Sequence, residues 1–359
     1  MPVFPLPPGS TIGILGGGQL GRMTALAAAQ LGYRCHVFCP EKDSPAKQVA
    51  AMATTAKYTD KAALRRFAKS VDVATFEFEN VELAAARLLA KLKKLRPGPN
   101  ALAVAQDRLK EKNFLRGIGI ETAPYRGVES AAGLAGALAE IGPRAILKTV
   151  RFGYDGKGQM AIEPSADPAA LWRRFGAKSG ILEGRVDFAC EVSVIVARGL
   201  DGKVVAYTPV ENRHRDGILD TTVAPARIPA AVAREATRIA VLAAEKLNVV
   251  GLLAVEMFVT KAGAVLVNEL APRPHNSGHW TIDACVTSQF EQLVRAICGL
   301  PLGSPERHSD AVMKNLIGDE VNGWKHALAD PAAKLHLYGK GKPVSGRKMG
   351  HVTRLLLKT

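Results

Sequence analysis

The stretch Gly251–His279, GLLAVEMFVTKAGAVLVNELAPRPHNSGH, constrains the chain more than any other. Two apolar runs rich in β-branched residues, Leu252–Thr260 and Ala264–Leu270, flank a short break that contains Gly263. That pattern predicts a β-hairpin. A two-residue turn at Ala262-Gly263 sets Glu256 directly opposite Glu269. Facing residues lie about 5 Å apart at Cβ, and like charges at that spacing destabilise a sheet. The pair is therefore explained either by a divalent cation, which takes oxygen ligands from carboxylates and substrate phosphates, or by a solvent-facing hairpin end. The next residues, Ala271–His279, crowd Arg273, His275, Asn276 and His279 around two prolines.

The amino-terminal third reads differently. Thr11–Leu15 is a short apolar strand, followed by Gly16-Gly17-Gly18-Gln19-Leu20-Gly21 and an Ala/Leu-rich helix to about Leu31. Arg34–Phe38 predicts the next strand, with Glu41 behind it. The spacing fits a GxGxxG turn whose glycines let helix N-terminal amides approach an anion. A tight strand–helix turn without a ligand uses the same residues. A third strand, Val71–Phe78, ends in the acidic cluster Glu77-Phe78-Glu79-Asn80, ahead of a helix over Val81–Lys94. Strand–helix alternation of this kind predicts a doubly wound α/β domain with ligands beyond the carboxyl ends of the strands. Glu79-Asn80 serves equally as a helix cap.

Pro97-Gly98-Pro99-Asn100 breaks the pattern and marks a domain edge. A charged helix follows, Ala101–Arg116, with Asp107, Arg108, Lys110 and Lys112. Strand Arg144–Val150 carries Lys148 and runs into RFGYDGKGQ, Arg151–Gln159, where three glycines surround Lys157. Such a loop suits phosphate wrapping, although the spacing is not that of a P-loop, and a hairpin tip remains the alternative. Gly180–Glu183 and Phe188–Arg198 read as strands, the second containing Glu191. Glu211–Asp220 holds His214 between two arginines. Helices follow at Ala230–Leu247 and about Ser288–Leu300, then a looser, basic C-terminal stretch.

Composition narrows the function classes. At 359 residues, two or three domains are expected. A net charge of +15 favours anionic partners, but with 6% aromatic residues and no Arg/aromatic interleaving a single-stranded nucleic-acid platform is not supported. Five cysteines without a CxxC pair argue against a disulfide framework or a zinc site. The Pro-rich start MPVFPLPPGS is not a signal peptide, and no apolar run approaches membrane-spanning length. The expectation is a cytoplasmic protein with no nucleic-acid or membrane partner.

Together these pieces resemble the ATP-grasp ligases and, among them, the 5-(carboxyamino)imidazole ribonucleotide synthases of purine biosynthesis. The resemblance is carried by GGGQLGRM at Gly16–Met23, FEFENV at Phe76–Val81, GYDGKGQ at Gly153–Gln159 and NELAPRPHNSGH at Asn268–His279, and it runs from Thr11 to about Arg354. It implies a mixed α/β and α+β architecture in three parts. These are an N-terminal doubly wound parallel-sheet domain over 1–105 that binds the ribonucleotide, a small mobile lid over 106–187, and an antiparallel-sheet catalytic domain over 188–359. The implied reaction is ATP-dependent carboxylation of aminoimidazole ribonucleotide by bicarbonate through carboxyphosphate, with Mg²⁺ and with a homodimer as the assembly.

The same resemblance assigns residues. Arg108 and Lys148 match phosphate contacts, and Gly153, Tyr154, Asp155, Gly156, Lys157, Gly158 and Gln159 match the loop over the triphosphate. Glu183, Gly184, Arg185 and Val186 match the adenine hinge. Glu191 matches the ribose acceptor, and His214 another nucleotide contact. Glu256 and Glu269 match the metal ligands, with Asn268 beside them. Tyr154, Arg273 and His275 match the carboxyl-transfer site. Gly18, Gln19, Leu20, Glu77 and Asn276 would meet the ribonucleotide, with Lys340, Arg347 and Lys348 on its 5′-phosphate. The rival readings are a formate-dependent glycinamide ribonucleotide transformylase or another ATP-grasp carboxylase, and an NAD-dependent oxidoreductase built on Gly16–Gly21 and Glu41.

Overall fold

The computed structural model describes residues 4–151, 153, 158–163 and 165–358. Among these, three sheets carry the fold. The first is parallel, in the order Met52–Thr55, Arg34–Cys39, Thr11–Leu15, Val73–Phe76. Its two central strands are covered on both faces, and for that reason Thr11–Leu15 is buried throughout and Arg34–Cys39 at all but its first residue. The third strand is shorter than the expected Val71–Phe78. The edge strand Met52–Thr55 and the helix Lys61–Lys69 are additions to the sequence reading.

The charged helix expected over Ala101–Arg116 is two helices, Pro99–Ala105 and Arg108–Gly117. Asp107 starts the second by accepting from the Lys110 amide. The Gln106 amide group, between them, donates to the carbonyls of Glu79 and Val81. Glu79-Asn80 does not cap the following helix, Leu83–Leu92, whose N-cap is Glu82 without a side-chain bond.

A small antiparallel sheet follows, in the order Tyr125–Val128, Gly180–Gly184, Ala145–Thr149, Gln159–Ala161. The large sheet runs Val265–Ala271, Gly251–Thr260, Phe188–Arg198, Val210–Arg215, Ile218–Ala224, Asp310–Ile317, Lys348–Leu356, Ala333–Leu337. Helix Ala230–Lys246 packs on one face of Phe188–Arg198 and Gly251–Thr260, and helix Gln289–Cys298 covers the other face. Among the described residues no helix is long and apolar enough to cross a membrane.

The C-terminal stretch, expected to be loose, contributes three of these strands. Their periodicity is hidden because buried positions are polar: Asn315, His351 and Thr353 are fully buried. Side-chain bonds tie that interior to the segment after the hairpin, while His351 Nε2 and Thr353 Oγ1 are buried without a partner. Asn276 and Asn315 exchange amide bonds at 3.0 and 2.6 Å, Tyr338 Oη lies 2.8 Å from His351 Nδ1, and His336 Nε2 lies 2.8 Å from Asp283 Oδ2.

Candidate active site

The three sheets meet around one cleft of about 730 Å³. Its floor is the hairpin, in which Glu256 pairs with Glu269 as the sequence predicts. Burial and the charge of Glu256 push the Glu269 carboxyl up, against the pull of Arg108, whose Nη1 is 3.6 Å away. Burial pushes Glu256 up too, but the paired His275, with His214 and Lys348 beyond it, holds that carboxyl at about 2. His275 Nδ1 accepts from the Ser277 amide at 3.3 Å, which leaves its proton on Nε2, 2.9 Å from Glu256 Oε1. The hydrogen-bond network thus assigns the tautomer. His275 orients Glu256.

The donor set suits Mg²⁺. Two carboxylates that repel each other offer oxygen ligands, the ligand atoms of Glu256, Glu269 and His275 lie within 4.8 Å of one another, and the buried Asn268 Oδ1 has no hydrogen-bond partner.

Cations gather on the small-sheet side. Lys148 Nζ lies 2.9 Å from Glu183 Oε2 on the neighbouring strand, and Lys112 Nζ lies 3.6 Å from the same oxygen. Burial raises the Glu183 carboxyl, and the two lysines more than reverse it. Glu183 Oε1 is buried without a partner. Arg151, Gly153 and Gln159 line the cleft nearby. Across it, His214 Nδ1 sits 2.7 Å from Glu191 Oε2; burial lowers the imidazole, but the bond and charge of Glu191 win and raise it.

The N-terminal sheet closes the far end. The glycine turn does hold an anion at a helix N-terminus, and the anion is the chain's own Glu77. Its carboxylate accepts from the Gly18 amide and, at 2.7 Å, from that of Gly21. A Cβ on Gly18 would lie 2.7 Å from Glu77 Oε1, so this close approach requires glycine. Burial raises the Glu77 carboxyl, opposed by those amides and by Lys340 and Arg273. With these amides taken by Glu77, the turn has no place for a dinucleotide pyrophosphate. Two residues on, Glu79 receives a two-pronged bond from Arg273, whose Nη1 also donates to the Pro274 carbonyl.

Comparison with known proteins decides the family. Three family models match in succession: a ribonucleotide synthetase preATP-grasp domain over 10–106, an ATP-grasp domain over 113–290, and a phosphoribosylaminoimidazole carboxylase C-terminal domain over 311–358. The N5-carboxyaminoimidazole ribonucleotide synthase of Brucella melitensis is 50% identical over 99% of this chain and 98% of its own. The chain belongs to the N5-carboxyaminoimidazole ribonucleotide synthase family. It also matches 37% of the length of a bifunctional purine synthesis protein from Dictyostelium discoideum, at 48% identity. An ADP complex of an N5-carboxyaminoimidazole ribonucleotide synthetase superposes with a TM-score of 0.94 at 44% identity, covering 98% of this chain and 93% of that one. The Aspergillus clavatus synthase, solved with ADP and 5-aminoimidazole ribonucleotide, gives 0.91 at 33% identity, covering 97% and 94%. The chain is thus an ATP-grasp ligase, and the NAD reading is set aside.

Within this synthase fold the cleft brings together Gly18, Gln19, Leu20, Glu77, Arg108, Lys148, Gly153, Gln159, Glu191, His214, Glu256, Asn268, Glu269, Arg273, His275, Asn276 and Lys348. Glu183 stands behind this surface, paired with Lys148. Gly158, Gly184, Arg185 and Val186 do not line it. Neither do Lys340, whose Nζ bonds the Lys348 carbonyl at 2.6 Å, and Arg347. Tyr154, Asp155, Gly156 and Lys157 lie outside the described residues. Sequence reasoning missed Gln106 and Glu111, which line the cleft, and took Lys112 as merely part of a charged helix. The available signal was the spacing Arg108, Glu111, Lys112, which shares one face of the helix.

Proposed function

We propose that the cleft carboxylates the exocyclic amine of aminoimidazole ribonucleotide with bicarbonate, using ATP and Mg²⁺, through carboxyphosphate. The observation that carries the reading is the opposed pair Glu256/Glu269, set between the Lys148–Glu183 nucleotide side and Arg273. Glu256 and Glu269 would hold Mg²⁺, which supplies charge neutralisation on the phosphates.

A bicarbonate oxygen attacks the γ-phosphorus in line and ADP leaves, with Lys148 and Arg108 supplying positive charge to the phosphates. Arg273 holds the carboxylate end of the resulting carboxyphosphate, its guanidinium plane set by Glu79. The amine nitrogen then attacks the carboxyl carbon, the C–O bond to phosphate breaks, and the departing phosphate takes the proton that the amine gives up. His275, committed through Nε2 to Glu256, orients that carboxylate in this scheme. Carboxyphosphate hydrolyses readily, so a step through it needs water excluded, a role that the family resemblance assigns to the glycine loop at 153–159. Gly18, Gln19, Leu20, Glu77 and Asn276 receive the ribonucleotide, with Lys340, Arg347 and Lys348 toward its phosphate. The reading extends to a reduced cytoplasmic setting, in keeping with five free thiols, and to a homodimer, which rests on the family resemblance.

ADP release tests it. Bicarbonate with aminoimidazole ribonucleotide is expected to stimulate release, and formate with glycinamide ribonucleotide is not. The reverse pattern would overturn the assignment.

A further inference from the structure

We propose that Lys112 is a positioning residue for the nucleotide and metal end of the cleft, a role that rests on the function proposed above. Lys112 is fully buried, on helix Arg108–Gly117. Its ammonium donates to the main-chain carbonyl of Asn268 at 2.8 Å and to that of Val267 at 3.3 Å, and it lies 3.6 Å from Glu183 Oε2. One cation thus touches the backbone of the metal-side strand and the carboxylate of the small sheet.

Both contacts answer a specific need. Val265–Ala271 is the edge of the large sheet, and Asn268 is bulged out of its ladder; on the outer side the Val267 amide donates to the Glu121 carbonyl at 2.9 Å, and the peptide groups after it have no strand partner. The helix supplies those partners: Lys112 for the Asn268 carbonyl, and the adjacent Glu111, which accepts from the Leu270 amide at 2.8 Å. The two peptide groups pinned in this way flank Glu269. A neutral donor would serve the carbonyl as well, and burying an ammonium is costly unless its charge is used. The use is Glu183. In this structure Glu183 shares its Oε2 between Lys148 and Lys112. Once a phosphate draws Lys148 away, Lys112 remains as the cation that keeps Glu183 ionised in its buried position. The two ends of the nucleotide site are therefore braced by one side chain.

The test compares Lys112→Gln, which keeps an N–H donor and removes the charge, with Lys112→Arg, which keeps the charge. Calorimetric titration with Mg·ADP reads nucleotide binding without turnover. Lys112→Gln is expected to weaken it on the order of tenfold or more, as lost support behind a metal site does, with the KM for aminoimidazole ribonucleotide within about threefold. Lys112→Arg is expected to retain Mg·ADP affinity within about threefold of the unmodified protein. Near-normal Mg·ADP binding by Lys112→Gln, an equal loss in both variants, or failure of both to fold would reduce Lys112 to a packing role and overturn the proposal. Failure of the underlying reading shows separately, as absence of bicarbonate- and ribonucleotide-dependent ADP release by the unmodified enzyme.

Discussion

Glu79 and Arg273 join the N-terminal sheet to the segment after the hairpin across 194 positions of chain. Arg273 grips both carboxylate oxygens, and the side chains are 13% and 25% exposed, for arginine and glutamate respectively. Burial alone would raise the Glu79 carboxyl, yet Arg273 holds it at about 2 against an ordinary 4.5. That difference is equivalent to roughly 3 kcal/mol, and screening at the exposed quarter reduces it to about 2 kcal/mol. A cycle of Glu79→Gln, Arg273→Met and the double variant, measured by urea unfolding at pH 7, is expected to give a coupling of that size. Each single variant should cost more than the double, because each leaves one charge unpaired in a half-dry site. The pH dependence has a definite sign. A carboxyl held below its unfolded value contributes stability that is complete above about 4.5 and lost as pH falls toward 2. The deficit of Glu79→Gln should therefore shrink through that acid window. A coupling below about 0.5 kcal/mol, or a deficit unchanged between neutral pH and the acid window, would refute the reasoning.

Glu269→Gln should cut ADP release by roughly a hundredfold or more through loss of a metal ligand. Its melting temperature should hold or rise, since removing Glu269's charge relieves repulsion from Glu256; near-normal turnover would dismiss the metal assignment. Gly18→Ala forces a Cβ to within 2.7 Å of Glu77 Oε1 and should cost about 1–3 kcal/mol in chemical unfolding, with a raised KM for the ribonucleotide. A variant as stable as the parent would mean the turn yields. Glu191 raises His214 above 6.5, so their pair contributes stability complete below 6.5 and lost as pH climbs through the raised value. The stability gap between the parent and His214→Gln should accordingly narrow from pH 6 to pH 9, and a widening gap would contradict the pairing.

What the sequence disclosed followed the strength of the local pattern. Thr11–Leu15, Phe188–Arg198 and the long helix after Pro229 stand within a residue of expectation because periodicity and punctuation agree there. The C-terminal strands were hidden by buried polar residues: Asn315, which donates to the Leu219 carbonyl on another strand, His351, which meets Tyr338 just past one, and Thr353. The break at Asp107 was equally hidden: a capping aspartate within a charged run reads as one more surface charge. In the site, residues standing in contiguous motifs were legible. Lys112 and Glu111 were not, because what makes them matter is a backbone 155 or more positions away.

The hairpin shows how a correct reading can rest on a local geometry that differs. The loop is three residues, Lys261–Gly263, with Gly263 at φ +83° and Thr260 closing onto Ala264. That loop alone would set Glu256 opposite Asn268. It would also turn the side chain of Glu269 to the other face, since a shift of one residue reverses every side chain in a strand. The bulge at Asn268 restores the count, so that Glu256 meets Glu269 after all. Two departures from the simple hairpin cancel, and the second is the one the chemistry needs. A bulge leaves backbone groups without ladder partners, and here Lys112 accepts that burden for the Asn268 carbonyl while Glu111 does so for the Leu270 amide. The facing carboxylates are thus as much a property of the helix Arg108–Gly117 as of the hairpin, and a change on that helix acts on Glu269 without touching its side chain.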